Sequence, residues 1–280
     1  MTIDIPAAAQ LACLLEASAP KPGNVSPGRH FVDVRYEHFL ASAAAIGQAF
    51  AEAGHRPVGN TILTAATATS RWTRSNTNLG IVLLLAPLAR AAAAAASRDL
   101  RDALRLVLAD TTVADARDVY AAIRLASPGG LGQADEQDVH AEPTVTLLDA
   151  MKLAAGHDGI AREYATDFAV TFEVAVPALL RARADGLSWD HAVVDTFLTV
   201  LAASPDTHVA RRGGPELAAD ISERAADVLR AGGVRTDEGR KALGYFDHSL
   251  RDPRNIGNPG TTADLTAAAI FVALLQGAWT

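Results

Sequence analysis

Apolar residues recur at three- and four-residue intervals along most of the chain, and alternation of β-branched residues is short wherever it occurs. The pattern predicts helices over 5–18, 35–53, 58–73, 77–96, 100–109 and 113–126. A second set is predicted over 143–155, 160–185, 188–204, 214–231, 236–251 and 261–279. Boundary residues agree with this reading. Ser188 precedes a Trp189-Asp190-His191 turn, and Thr236-Asp237-Glu238 places acids in a first turn, where the helix dipole favours them. Gly156, Gly186 and Gly232-Gly233 stand where helix C-caps belong. There is no repeat of fixed period and no stretch long and loose enough to separate domains. The expectation is one all-α domain over 1–280, a bundle of about twelve helices with a loop-lined polar site.

Composition sharpens this picture. Of 280 residues 49% are apolar, 20% charged and only 5% aromatic, and about a fifth are alanine, which favours helices that approach closely. The one long apolar run, 79–96, is interrupted by Pro87 and Arg90, so it reads as a helix buried inside a bundle rather than a membrane span. A net charge of −7 argues against a nucleic-acid or membrane-surface binder. The single cysteine, Cys13, excludes an internal disulfide framework, and Asp4 and Glu16 are out of place in a secretory leader, which points to the cytoplasm. An alanine-rich helical surface is compatible with a homodimer but does not specify one.

Candidate chemistry gathers in the loops. Lys21-Pro22-Gly23-Asn24-Val25-Ser26-Pro27-Gly28-Arg29-His30 combines rigid prolines, glycines that expose backbone N–H groups, and cations, a set suited to an anion or simply to a stiff connector. Asp33 follows and could hold Mg²⁺, accept a proton or cap a helix. Polar residues from Arg71 to Asn78 lead directly into the most apolar helix, so its N-terminal donors must find acceptors inside the protein. Pro128-Gly129-Gly130-Leu131-Gly132 followed by Asp135-Glu136-Gln137-Asp138 has phosphate-and-magnesium composition without the form of a P-loop. Asp206-Thr207-His208 precedes Arg211-Arg212-Gly213-Gly214, which reads as a phosphate clamp or a helix stop. Asn258-Pro259-Gly260 opens the last helix, with Asp264 in its first turn. The eight histidines show no zinc spacing, and there is no nucleophile elbow or dinucleotide fingerprint.

Taken in order, Lys21-Pro22-Gly23-Asn24-Val25-Ser26, Asn76-Thr77-Asn78-Leu79-Gly80, Asp206-Thr207 with Arg211-Arg212-Gly213-Gly214, and Asn258-Pro259-Gly260 with Ala263-Asp264-Leu265 resemble the triphosphoribosyl-dephospho-CoA synthase family. The chain departs from citrate-lyase-type members, which typically read Asn-Thr-His-Lys-Gly where Asn76 to Gly80 stand, and it lacks their Gly-x-Arg-Gly-Glu-Ala segment. It looks like a divergent branch, of a kind also met beside methanopterin-linked one-carbon metabolism.

The resemblance implies a transferase that joins the triphosphoribosyl part of ATP to the 2′-hydroxyl of dephospho-CoA with release of adenine. Such chemistry needs carboxylates, for which Asp33, Asp138 and Asp264 are the candidates, Asp33 and Asp138 also as ligands of the Mg²⁺ expected with ATP. Lys21, Arg211 and Arg212 would hold phosphates, and Asn76 and Asn78 would orient ribose or phosphate. Gly23, Asn24, Ser26, Gly80, Asp206, Gly213, Asn258 and Gly260 complete the implied nucleotide-binding set. Two other readings stand beside it: a nucleotide-dependent transferase using another acceptor in one-carbon cofactor synthesis, and a non-catalytic helical nucleotide-binding protein.

Overall fold

The computed structural model describes residues 4–95, 98–128, 132 and 136–279. Within them the chain forms fifteen α-helices and one π-helical stretch. The first half contains α1 (Ile5–Ser18), α2 (Tyr36–Ala45), α3 (Gly47–Ala51), α4 (Val58–Ser70), α5 (Leu79–Ala94), α6 (Leu100–Ala109) and α7 (Val113–Ala126). Then come α8 (Leu147–Ala154), α9 (Gly159–Ala165), the π-helical stretch (Val170–Ala175), α10 (Val176–Ala184) and α11 (Trp189–Ala203). The last four are α12 (Thr207–Gly213), α13 (Pro215–Arg230), α14 (Asp237–Leu250) and α15 (Gly260–Leu275). The described residues contain no β-strand, only an isolated backbone bridge between Ser26 and Arg29. None of these helices is long and apolar enough to cross a membrane.

Two helices form the centre. In α15 every residue from Leu265 to Leu275 is buried, and α5 is buried along nearly its whole length. A helix apolar on all sides is stable only when other helices surround it. Around α15 stand α1, α5, α10, α11 and the π-helical stretch, and α5 in turn packs on α4 and α6. Small residues let the axes approach. Gly59 at the start of α4 lies so close to Asp115 of α7 that a methyl group would collide with its backbone, and Asp115 Oδ1 accepts the Gly59 N–H at 2.8 Å.

The observed helices depart from the sequence pattern in three places. The expected helix 35–53 divides at Ile46 into α2 and α3. The expected helix 160–185 is broken because Asp167 and Phe168 both adopt left-handed backbone conformations, φ 53° and 58°. The fully buried Glu163 closes that break by accepting from the N–H groups of Val170 and Thr171, at 2.9 and 2.8 Å. Finally, residues expected to form a loop around 206–213 form the short helix α12, capped by Asp206. These departures account for the difference between about twelve helices and fifteen.

Pro87 sits inside α5 and lacks the N–H that would bond the carbonyl of Leu83. The hydroxyl of the buried Tyr164 donates to that carbonyl instead, at 2.6 Å. Replacing Tyr164 by Phe keeps the ring and orphans a buried acceptor. The expected cost is about 1–3 kcal/mol of unfolding free energy in denaturant titration, and a Y164F variant as stable as the wild type would show the carbonyl is satisfied otherwise.

Candidate functional site

The helices α5 and α15 start side by side, and a cavity of about 100 Å³ opens at their N-terminal ends. Loops supply most of the rest. Asn24 and Phe31 come from the segment after α1, Asn76 and Asn78 from the approach to α5, and Asn258 from the approach to α15. Glu16 enters from the last turn of α1, His208 from α12 and Asp264 from α15. Seven implied residues, Asn24, Asn76, Asn78, Gly80, Asn258, Gly260 and Asp264, therefore meet at one place.

Asp264 and Gly80 are fitted to each other. The carboxyl group lies directly against the Gly80 Cα, where any side chain on residue 80 would overlap it. The N–H groups of Gly80 and Ile81 have no hydrogen-bond partner among the described residues, so the α5 start remains open towards the cavity. Leu79 N–H, by contrast, is taken by Asn76 Oδ1 at 3.1 Å. Burial pushes the Asp264 carboxyl well above the ordinary carboxylate range, and the negative charges of Glu16, Asp206 and Asp158 add to the shift. Burial also depresses the imidazole of His208, helped by Arg211 and Arg212, to about 4. Near neutral pH the cavity therefore holds an uncharged His208 beside an Asp264 whose carboxyl keeps its proton to higher pH than an ordinary carboxylate.

Amide chemistry dominates the facing wall. Asn24 Nδ2 donates to Asn258 Oδ1 at 2.6 Å, while Asn24 Oδ1 is buried with no partner. The loop that carries Asn24 is anchored from the far end of the chain. Asp247 of α14 accepts Gly23 N–H at 2.9 Å, pairs with Arg29, and pairs with Arg251 at 2.7 Å. Gly23 has φ 75° and packs on Leu250, which explains a glycine there.

The other implied residues occupy different positions. Lys21 is completely buried, its ammonium committed to the Glu16 carboxylate at 2.9 Å and to the carbonyls of Glu16 and Ala19, and it does not line the cavity. Ser26 is also fully buried, with an unpartnered hydroxyl. Asp206 caps α12 through Val209 N–H and the start of α15 through Thr262 N–H and hydroxyl, at 2.7–2.9 Å, so its acceptors are used in joining two helices. Arg211 pairs with Asp158 at 2.6 Å, and Arg212 donates to the carbonyls of Arg254 and Asn255. Gly213 packs beside Leu217 and Ile256. Asp33 is exposed and off the cavity. Asp138 accepts from His140 N–H at 2.8 Å, away from the cavity lining. Gly129, Gly130, Leu131 and Asp135 of the same expected loop lie outside the described residues.

Sequence reasoning passed over Glu16 and Asp247. Both fall on buried helix faces, Glu16 among Ala8, Ala9, Ala12, Cys13 and Ala17, and Asp247 between Phe246 and Leu250. An acid on an otherwise apolar stripe was the available signal. For the expected Mg²⁺, no three His, Cys, Asp or Glu side chains cluster among the described residues, so they do not make a protein-held cage.

These features define an all-helical bundle with an acid-and-amide pocket at the starts of two helices. More specifically, the chain belongs to the ATP:dephospho-CoA triphosphoribosyl transferase (CitG) family, whose model matches residues 3–280. It is 38% identical over 115 residues to a Pseudomonas putida protein named "Probable 2-(5''-triphosphoribosyl)-3'-dephosphocoenzyme-A synthase", covering 41% of this chain and 40% of the relative. A Klebsiella pneumoniae 2-(5''-triphosphoribosyl)-3'-dephosphocoenzyme-A synthase is 33% identical over 104 residues, 37% of this chain and 36% of its own. The matched part thus spans about 40% of the length of such curated relatives. The crystal structure of an Archaeoglobus fulgidus protein named "putative triphosphoribosyl-dephospho-coA synthase" superposes with TM-score 0.67 at 33% identity, covering 85% of this chain and 99% of that one.

The depressed His208 has a consequence for stability. Between pH 6.5 and about 4 the unfolded chain takes up a proton on this imidazole and the folded chain does not, so acidification through that window favours unfolding. A His208→Gln variant should lose less melting temperature than the wild type over the same window. Parallel losses in the two proteins would contradict a buried, neutral His208.

Proposed function

We propose that this protein transfers the triphosphoribosyl group of ATP to the 2′-hydroxyl of dephospho-CoA. The observation that carries this reading is the lining of the first cavity: two carboxyl groups, four carboxamides and no cationic side chain. With no cation there, a phosphate could meet only neutral donors such as the open N–H groups of Gly80 and Ile81. A ribose with hydroxyl groups, developing positive charge at C1′, would be well served. Membership of the family and the likeness to the Archaeoglobus fulgidus structure support the same reading.

In the reaction the bond between C1′ and the adenine nitrogen breaks, and a bond forms between C1′ and the 2′-oxygen of the acceptor. Asp264, whose burial favours the protonated carboxyl, donates its proton to the departing adenine. The carboxylate left behind faces the cationic ribose and takes the proton of the attacking hydroxyl. One proton has then passed from acceptor to adenine, and Asp264 is restored. Glu16, held by Lys21, adds negative charge beside the same carbon, and the amides of Asn24, Asn76, Asn78 and Asn258 orient the ribose hydroxyls. Mg²⁺ would travel with the triphosphate; no step above is assigned to it.

Incubating the protein with ATP and dephospho-CoA and following free adenine by chromatography tests the proposal. Adenine should appear only when both substrates are present, and its absence would refute the assignment. An Asp264→Asn variant should keep its fold and lose at least about 100-fold in turnover. Gly80→Ala should lose turnover and some thermal stability, because its methyl group displaces the buried Asp264 carboxyl. Full activity in either variant would remove Asp264 from the chemistry.

A further inference from the structure

A second cavity, of about 310 Å³, shares Asn76, Thr77, Asn78 and Leu79 with the first. Its electrostatic character is opposite. The first cavity contains Glu16 and Asp264, whereas the second contains no acid and one cation, Arg74. Hydroxyl groups of Thr69, Ser70, Thr73 and Ser75 make up much of the remaining lining.

Arg74 is one of the arginines, with Arg56, Arg98 and Arg181, whose guanidinium has no partner among the described residues. Arg29, Arg211, Arg235 and Arg251 are each tied to a carboxylate, but Arg74 makes no hydrogen bond or ion pair among the described residues. Arg71, three residues earlier, is likewise exposed and unpaired there. The Ser75 hydroxyl has no partner among the described residues either. These free donors lie beside the N-terminal end of α5, a helix of sixteen residues whose dipole favours negative charge at that end. A guanidinium fork with hydroxyl donors and no competing carboxylate is the chemistry that binds phosphate oxygens.

The geometry points to a polyphosphate chain as the occupant of this second cavity. A nucleotide with its ribose among the carboxyl and amide groups would run its phosphates over the 76–79 segment to Arg74. Which molecule supplies the chain rests on the transferase reading, because the donor carries a triphosphate and the acceptor a diphosphate. The anion subsite itself does not rest on it.

Titration calorimetry of the full chain with inorganic tripolyphosphate tests the subsite directly. The wild type should bind, Arg74→Ala should bind at least about tenfold more weakly, and Arg74→Glu should show no binding, all with unchanged circular dichroism. Asp264→Asn, altered in the other cavity, should bind tripolyphosphate at least as well as the wild type. Equal affinity of the wild type and R74A, or no binding by the wild type, would overturn the proposal. Steady-state kinetics of R74A then separate the sources: a raised KM for ATP alone assigns the donor's triphosphate, and a raised KM for dephospho-CoA alone assigns the acceptor's diphosphate. Tripolyphosphate binding without adenine release by the wild type would leave the subsite standing and remove the transferase reading.

Discussion

Two helices made almost entirely of apolar residues begin inside this protein, and a helix start carries backbone donors that must be answered. Burial of α5 and α15 supplies the core, and it also creates the need for polar groups where those helices begin. Asn76 answers one donor of α5, and Asp206 answers α15 while capping α12. Gly80 and Ile81 remain unanswered among the described residues. The pocket is what remains when the requirements of the core have been met on most sides and left open on one.

That origin explains how charge is distributed. Most cations of the polar loops are spent on architecture: Lys21 on Glu16, Arg29 and Arg251 on Asp247, Arg211 on Asp158. The Lys21–Glu16 pair is buried on both sides and costly to open, since each partner left alone would be a buried charge. These residues hold the loops in place, and the interior keeps an acid-and-amide surface with Asp264, its carboxyl pushed up by burial, beside a neutral His208.

Much of this was legible in the sequence. The polar approach Asn76-Thr77-Asn78 before an apolar run marked a buried helix start, and Asn258-Pro259-Gly260 with Asp264 marked another; the structure brings the two together. The loop cations were harder to read, because a lysine or arginine looks free in sequence until its partner is known, and Asp247 lies more than 200 residues from Arg29. Glu16 was hidden by its alanine-rich surroundings. The break after α9 gave no warning, since Asp167 and Phe168 are neither glycine nor proline, and the buried Glu163 that closes it is a tertiary feature.

The tether from Asp247 to the loop of Gly23 and Arg29, together with the amide contact from Asn24 to Asn258, joins segments near opposite ends of the 280 residues. During synthesis from the N-terminus, the Asn24 loop emerges early and waits for α14 and α15 before it has a wall to face. The catalytic-looking hollow is thus among the last features that a growing chain can complete. An interrupted translation product would carry many of the helices and none of the finished pocket.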